Sequence, residues 1–175
     1  GSCFPKDIQA MIKTAQESEC GYKILQAVAH TNKEQRQNFV KKILDKFGSN
    51  LEGKTFAVWG LSFKPKTNDM REAPSITIIE KLLKHGANIV AFDPKAMENA
   101  KEIFKNKITY TKNSYDALKN ADALLLLTEW HEFRHPDFDK MKSLLKTPII
   151  IDGRNQYDIK SLAQKGFEYI CMGKK

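Results

Sequence analysis

The sequence predicts an α/β fold, a doubly wound parallel sheet preceded by a long connecting helix. Three observations carry that expectation. From residue 54 onward, short apolar runs alternate with segments of helical periodicity, the pattern of strands joined by crossover helices. Those runs are continuously apolar instead of alternating, so the sheet is buried on both faces. Before Gly48–Gly53 no strand-like run occurs, and the chain reads as helix.

The elements follow in order. Ile8–Glu17 is a short helix, broken by Cys20-Gly21. Tyr22–Phe47 is one long helix, about 39 Å at the usual rise, with Gly48 as its C-terminal cap. Its apolar stripe (Leu25, Val28, Phe39, Ile43, Phe47) is interrupted by Ala29, Asn32 and Gln35. Such a stripe suits a helix that bridges domains or packs in a dimer better than one lying on a small core. Lys54–Trp59 is a strand. Pro74–His85 is a helix, with Pro in its first turn and Gly86 just past its end. Then come strand Asn88–Phe92, helix Pro94–Phe104, strand Ile108–Tyr110, and helix Ser114–Asn120 with Ser114 as cap. They are followed by strand Ala123–Leu127, helix Asp137–Leu145, strand Ile149–Ile151, helix Asp158–Lys165 and strand Glu168–Cys171. Together the second set forms a Rossmann-like unit.

Composition bounds the function. The chain has 175 residues, a net charge of +8 and 41% hydrophobic residues, enough for one ordinary domain with an appendage. The basic residues are scattered among acids, with no run of five and no aromatic interleaving. A nucleic-acid partner is therefore not expected, although a basic field favours an anionic ligand. Apolar runs are too short to span a membrane. The three cysteines, 3, 20 and 171, form no C-x-x-C, so neither a disulfide nor a metal framework is implied, and a reducing cytoplasm is the simplest setting.

In a doubly wound sheet, ligands bind outside the carboxyl ends of the strands, and the candidate residues fall there. The first strand runs into Gly60-Leu61-Ser62-Phe63-Lys64-Pro65-Lys66, with Asp69-Met70-Arg71-Glu72 before the next helix. Only Gly60 of a G-x-G-x-x-G fingerprint is present, so a dinucleotide is not expected to bind here in the usual way. Lys64, Lys66 and Arg71 next to a helix N-terminus suit phosphate; taken alone, they read equally as a solvated basic loop. Asp93 ends the second strand, where an acid can hold a ribose hydroxyl, but a ligand-free Asp-Pro turn is the better reading. His131-Glu132-Phe133-Arg134-His135 matches H-E-x-x-H, yet Pro136 biases His135 away from a helix, and zinc is not expected. Gly153 permits a tight turn that projects Arg154 from the sheet edge, as a binding group or as a surface arginine. Cys3 precedes the first predicted helix, with Lys6 and Asp7 close behind. A thiolate is a strong nucleophile, and a nearby cation or helix N-terminus lowers the thiol's pKa.

Four of these segments are shared, in order, with one family. Cys3-Phe4-Pro5-Lys6-Asp7, Phe63-Lys64-Pro65 with Arg71-Glu72, Thr128-Glu129-Trp130 with Phe133-Arg134, and Asp152-Gly153-Arg154 resemble the UDP-glucose dehydrogenases among the nucleotide-sugar 6-dehydrogenases. Ala73 departs from the family's usual serine. The resemblance implies an NAD-dependent oxidation of UDP-glucose to UDP-glucuronate, in two hydride transfers through a cysteine thiohemiacetal and thioester. It implies Cys3 as nucleophile and Asp7 as the group acting on the attacking water. Lys6 and Arg71 would contact NAD, and Phe4, Phe63, Lys64 and Arg154 would contact UDP-glucose. By the same resemblance Phe4 fits UDP-glucose better than GDP-mannose or UDP-N-acetyl sugars, which stand as the alternative substrates; a non-catalytic nucleotide-binding module is the alternative outside catalysis. On this reading residues 1–50 hold the cysteine segment and a dimerisation helix. Residues 51–175 form the UDP-sugar-binding domain, and an NAD-binding domain belongs to a preceding part of the parent. A homodimer through the long helix is implied.

Overall fold

The structure is a computed structural model that describes residues 3–173, apart from the Cys3 side chain. Two helices come first, α1 (Cys3–Glu17) and α2 (Lys23–Phe47). The sheet domain follows as β1 (Thr55–Trp59), α3 (Pro74–Lys84), β2 (Asn88–Phe92), α4 (Met97–Phe104), β3 (Thr109–Tyr110), α5 (Ser114–Leu118), β4 (Ala123–Leu126), α6 (Phe138–Leu144), β5 (Ile149–Asp152), α7 (Ile159–Gln164) and β6 (Glu168–Cys171). A single 3-10 turn, His131–Phe133, lies between β4 and α6.

All six strands are parallel, in the order β3-β2-β1-β4-β5-β6. β1 therefore lies beside both β2 and β4, registering Ala57 with Val90 on one side and with Leu124 on the other. The chain leaves β1 in one direction and returns to start β4 in the other. This is the topological switch point, where a crevice opens at the carboxyl ends of the strands. Strand periodicity sends Phe56 and Val58 to a core shared with α2, α3 and α4, and Ala57 and Trp59 to one shared with α5, α6 and α7.

Several boundaries differ from the sequence expectation for local reasons. α1 begins at Cys3, not Ile8; Pro5 falls in its first turn, where a missing N–H removes no helical bond. Cys3 thus opens the helix instead of preceding it. α4 begins at Met97 because the Asp93 carboxylate takes the N–H groups of Lys95 and Ala96 and holds Pro94–Ala96 in a turn. α5 is capped by Asn113, whose side chain accepts from the Asp116 N–H, so Ser114 is its first helical residue.

The larger difference concerns α2. Phe39, Val40 and Ile43 are buried, and they belong to the same core as Phe56, Leu82 and Ile151. Lys46 reinforces the join by pairing with Glu168 on β6 at 2.6 Å. The C-terminal part of α2 is thus a core helix of the sheet domain. Its N-terminal part is not, with Ile24 79% and Val28 46% exposed.

Candidate functional site

Four loops meet at the switch point, and the residues following β4 tie them together. The Thr128 hydroxyl donates to the Ser62 carbonyl in the loop after β1. The Trp130 indole N–H donates to Asp93, after β2, at 3.1 Å. The Glu129 carboxylate pairs with Arg154, after β5, at 2.5 Å. Three consecutive side chains therefore hold three different loops. Gly60 permits the closest of these approaches: at φ +91°, any Cβ would collide with Thr128.

Asp93 is the second organiser. It is 1% exposed. One oxygen accepts from the Leu61 and Ser62 N–H groups, the Ser62 hydroxyl and Trp130. The other accepts from the N–H groups of Lys95 and Ala96. An acid at this place in the sheet could have held a ribose. Here its lone pairs are taken up by the protein, in agreement with a ligand-free turn.

Outside this knot lies a cavity of about 510 Å³, lined by Phe63, Lys64, Arg154, Gly153, Phe39 and residues of α2 and α3. Arg154 comes off β5 through a turn in which its N–H donates to Asp152 at 2.7 Å. Its Nη2 donates to the Phe63 carbonyl at 3.0 Å, joining the loops after β1 and β5. Lys64 is exposed, with its ammonium 5.3 Å from the centre of the Phe63 ring. Pro74 and Ile78 bring the first turn of α3 to the wall. Ala73 caps that helix without a side-chain bond, so the first-turn N–H groups and the helix dipole add positive potential. The arrangement of three cations (Arg36, Lys64 and Arg154) against one acid (Glu72), with a helix N-terminus and an apolar wall, suits a polyanion attached to a flat ring.

The structure brings Phe63, Lys64 and Arg154 together on one cavity. Arg71 lies elsewhere: it folds onto Asp69, with its Nη2 at 2.8 Å, beside a separate depression formed with α4. The Arg71 side chain and its N–H hold the Asp69 carboxyl below the usual aspartate range. Of the cysteine segment, Pro5 lines the cavity, whereas Phe4 lines a larger groove of about 770 Å³ between α1, α2 and α3 and is 79% exposed. Lys6 and Asp7 are exposed and 3.8 Å apart. The Cys3 side chain lies outside the described residues.

Sequence reasoning missed Arg36. From α2 it donates to the Glu72 carbonyl at 3.1 Å and to the Glu72 carboxylate at 3.4 Å, clasping the loop that carries Lys64. Asn32 and Gln35, read as interruptions of an assembly stripe, line the cavity beside it. A polar patch breaking an apolar stripe was the available signal. The H-E-x-x-H segment forms one 3-10 turn, with His131 and His135 both exposed. Among the described residues no three His, Cys, Asp or Glu side chains cluster as metal ligands. No helix among them is long and apolar enough to cross a membrane.

The fold and cavity define a doubly wound α/β domain with a cation-lined site at its switch point. Residues 57–159 match the UDP-glucose/GDP-mannose dehydrogenase family, UDP binding domain, and the chain belongs to that family. It is 41% identical over 174 residues to a UDP-glucose 6-dehydrogenase of Bacillus subtilis, covering 99% of this chain and 38% of the relative. A UDP-glucose 6-dehydrogenase of Rhizobium meliloti is 38% identical, with 99% and 40% covered. Among solved structures, a UDP-glucose dehydrogenase from Pyrobaculum islandicum superimposes with a TM-score of 0.82 at 29% identity, covering 99% of this chain and 37% of that one. The chain thus spans about 40% of the length of the curated relatives it matches.

Proposed function

We propose that this chain is the UDP-sugar-binding part of an NAD-dependent UDP-glucose 6-dehydrogenase, which oxidises UDP-glucose to UDP-glucuronate. The observation that carries the reading is the meeting of Lys64, Arg154 and the α3 N-terminus on one cavity, in a chain of this family. Lys64 and Arg154 bind the diphosphate, and Phe63 packs beside them. Residues 51–175, with the C-terminal part of α2 packed into their core, form the binding domain, and the residues before them carry the cysteine segment to its edge, with Pro5 on the cavity wall.

The sheet itself does not fit a dinucleotide in the ordinary mode: Gly60 stands alone, and Asp93 faces inward. NAD would supply the acceptor for both hydrides from a seat formed chiefly by another part of the parent. It would meet this chain at the exposed cations Lys6 and Arg71. Within this chain, the Cys3 thiolate adds to the aldehyde carbon to give a thiohemiacetal. After the second oxidation, water cleaves the thioester, its proton passes to Asp7, and the thiol returns. The enzyme works in the cytoplasm.

Calorimetry with UDP tests the binding role. Lys64→Ala and Arg154→Ala should each weaken binding roughly tenfold or more, the worth of one charge-assisted contact. Equal affinity in Lys64→Ala removes Lys64 from the site. In the full-length parent, Cys3→Ser should abolish steady-state NADH formation; retained turnover overturns the covalent route.

A further inference from the structure

We propose that Glu129 is a positioning residue of the diphosphate site, fixing the Arg154 guanidinium from behind. The inference rests on reading the cavity as the UDP site. Arg154 is the shared wall of two cavities. It lines the 510 Å³ cavity with Lys64 and Phe63, and a second, of about 360 Å³, with Arg134, His135 and Gln156. Glu129 lines only the second. It therefore reaches the guanidinium from the side away from Lys64.

The contact is close and buried. Arg154 Nε lies 2.5 Å from Glu129 Oε2 and both atoms are shut off from solvent, so the pair is held by charge, without the alignment of a hydrogen bond. Nη2 is held by the Phe63 carbonyl at 3.0 Å. Two of the three guanidinium nitrogens are thus engaged from different loops, Nη2 by a hydrogen bond and Nε by its ion pair. Nη1 has no hydrogen bond to any described residue, and a fixed plane aims it instead of leaving it to rotate. Arginine is a planar fork, so fixing two nitrogens fixes the third. A donor ordered in advance loses less freedom when the ligand arrives. Glu129 is itself fixed, because its neighbours Thr128 and Trp130 are bonded to Ser62 and Asp93.

This role has a sign that separates it from simple charge. Glu129 is an acid close to an anion site, so its field opposes a diphosphate. If charge alone mattered, Glu129→Gln would tighten every anion. If Glu129 positions Arg154, the same variant loosens the guanidinium and weakens the geometrically demanding ligand despite the gain in positive potential.

The experiment is calorimetry of the 175-residue chain with UDP and, separately, inorganic pyrophosphate. It compares wild type, Glu129→Gln, Arg154→Ala and the double variant, with thermal melts alongside. The expected result is a roughly tenfold loss of UDP affinity in Glu129→Gln, with pyrophosphate affinity unchanged or raised and the melting temperature within a few degrees. The double variant should bind UDP no worse than Arg154→Ala, because the two residues act as one unit. NMR of the Arg154 Nε–H, which should lose protection in Glu129→Gln, gives a readout independent of ligand. UDP affinity unchanged or raised in Glu129→Gln overturns the positioning role, as does additivity in the double variant. A wild-type chain with no measurable UDP affinity, beside a protected Arg154 Nε–H, overturns the UDP-site reading and this inference with it.

Discussion

At the residue scale, two buried aspartates show how position turns the same side chain to different ends. Asp93 accepts six donors from three loops. Asp93→Asn would place an amide N–H₂ against donors, leaving buried groups unpaired. It should destabilise the chain by about 3 kcal/mol, lowering the melting temperature by roughly 6–12 °C for a chain of this size. A shift within two degrees would show that the loops hold without it. Asp122 accepts from the Thr55 N–H at 2.9 Å and lies 3.3 Å from the Lys146 ammonium. Burial alone would raise its pKa, but Thr55 and Lys146 outweigh burial and hold it below the usual aspartate value. A carboxylate with a depressed folded-state pKa stabilises the fold fully above the unfolded value, and the contribution fades as pH falls through the folded one. Asp122→Asn should therefore lose about 1 kcal/mol at pH 7, since its two lysine partners, Lys146 and Lys54 at 3.5 Å, are half-exposed. The gap to wild type should narrow below about pH 4 in urea melts; a gap independent of pH would assign the loss to packing. Residues of this kind were half readable in the sequence. Arg154 was visible because a glycine turn after a buried strand projects the next side chain at the sheet edge. Glu129 and Arg36 were not, because their partners are 25 and 36 residues away, and only the fold brings them close.

At the element scale, α2 shows where periodicity stops informing. The stripe from Leu25 to Phe47 is readable as helix, yet the pattern does not say that one helix faces three surroundings. Phe39, Val40 and Ile43 enter the sheet core, Asn32 and Gln35 line the cavity, and Ile24 and Val28 are exposed. A proposed pairing with a second copy through this helix therefore falls on its N-terminal part alone. Phe39→Lys, which puts a charge into a site 3% exposed, should lose cooperative unfolding or several kcal/mol. Val28→Glu should leave circular dichroism and melting unchanged while shifting any dimer seen by light scattering toward monomer, because a self-complementary interface places the new charge against its own copy. A Val28→Glu chain that melts early would show that the N-terminal part of α2 belongs to the domain's own core. A dimer unchanged by Val28→Glu would remove this face from the pairing.

At the scale of the whole molecule, the alternation of continuous apolar strands with helices was enough to anticipate a parallel sheet covered on both faces. The strand order was not, since the buried strands β1, β4 and β5 are alike in being apolar and none carries a mark of its neighbours. It follows from crossovers that run to one side of β1 and then to the other, and it creates the switch point that no local pattern announces. That crevice is filled differently from one built for a dinucleotide. The loop after β1 is clamped by Thr128, Asp93 and Arg154, and its basic residues face outward. On the proposed reading the cofactor's seat lies chiefly in another part of the parent, so this chain would hold no hydride acceptor against the sugar, and the proximity on which such a reaction depends would be lost. The chain by itself should therefore bind UDP-glucose but form no NADH from it, even with NAD in large excess. The measurement is absorbance of reduced cofactor over hours with the purified 175-residue chain, beside calorimetry showing that the sugar nucleotide is bound. Turnover approaching the order of 1 s⁻¹, ordinary for an enzyme, would show that these residues hold both cofactor and sugar. The inward-facing Asp93 and the lone Gly60 would then have been read wrongly as excluding the dinucleotide.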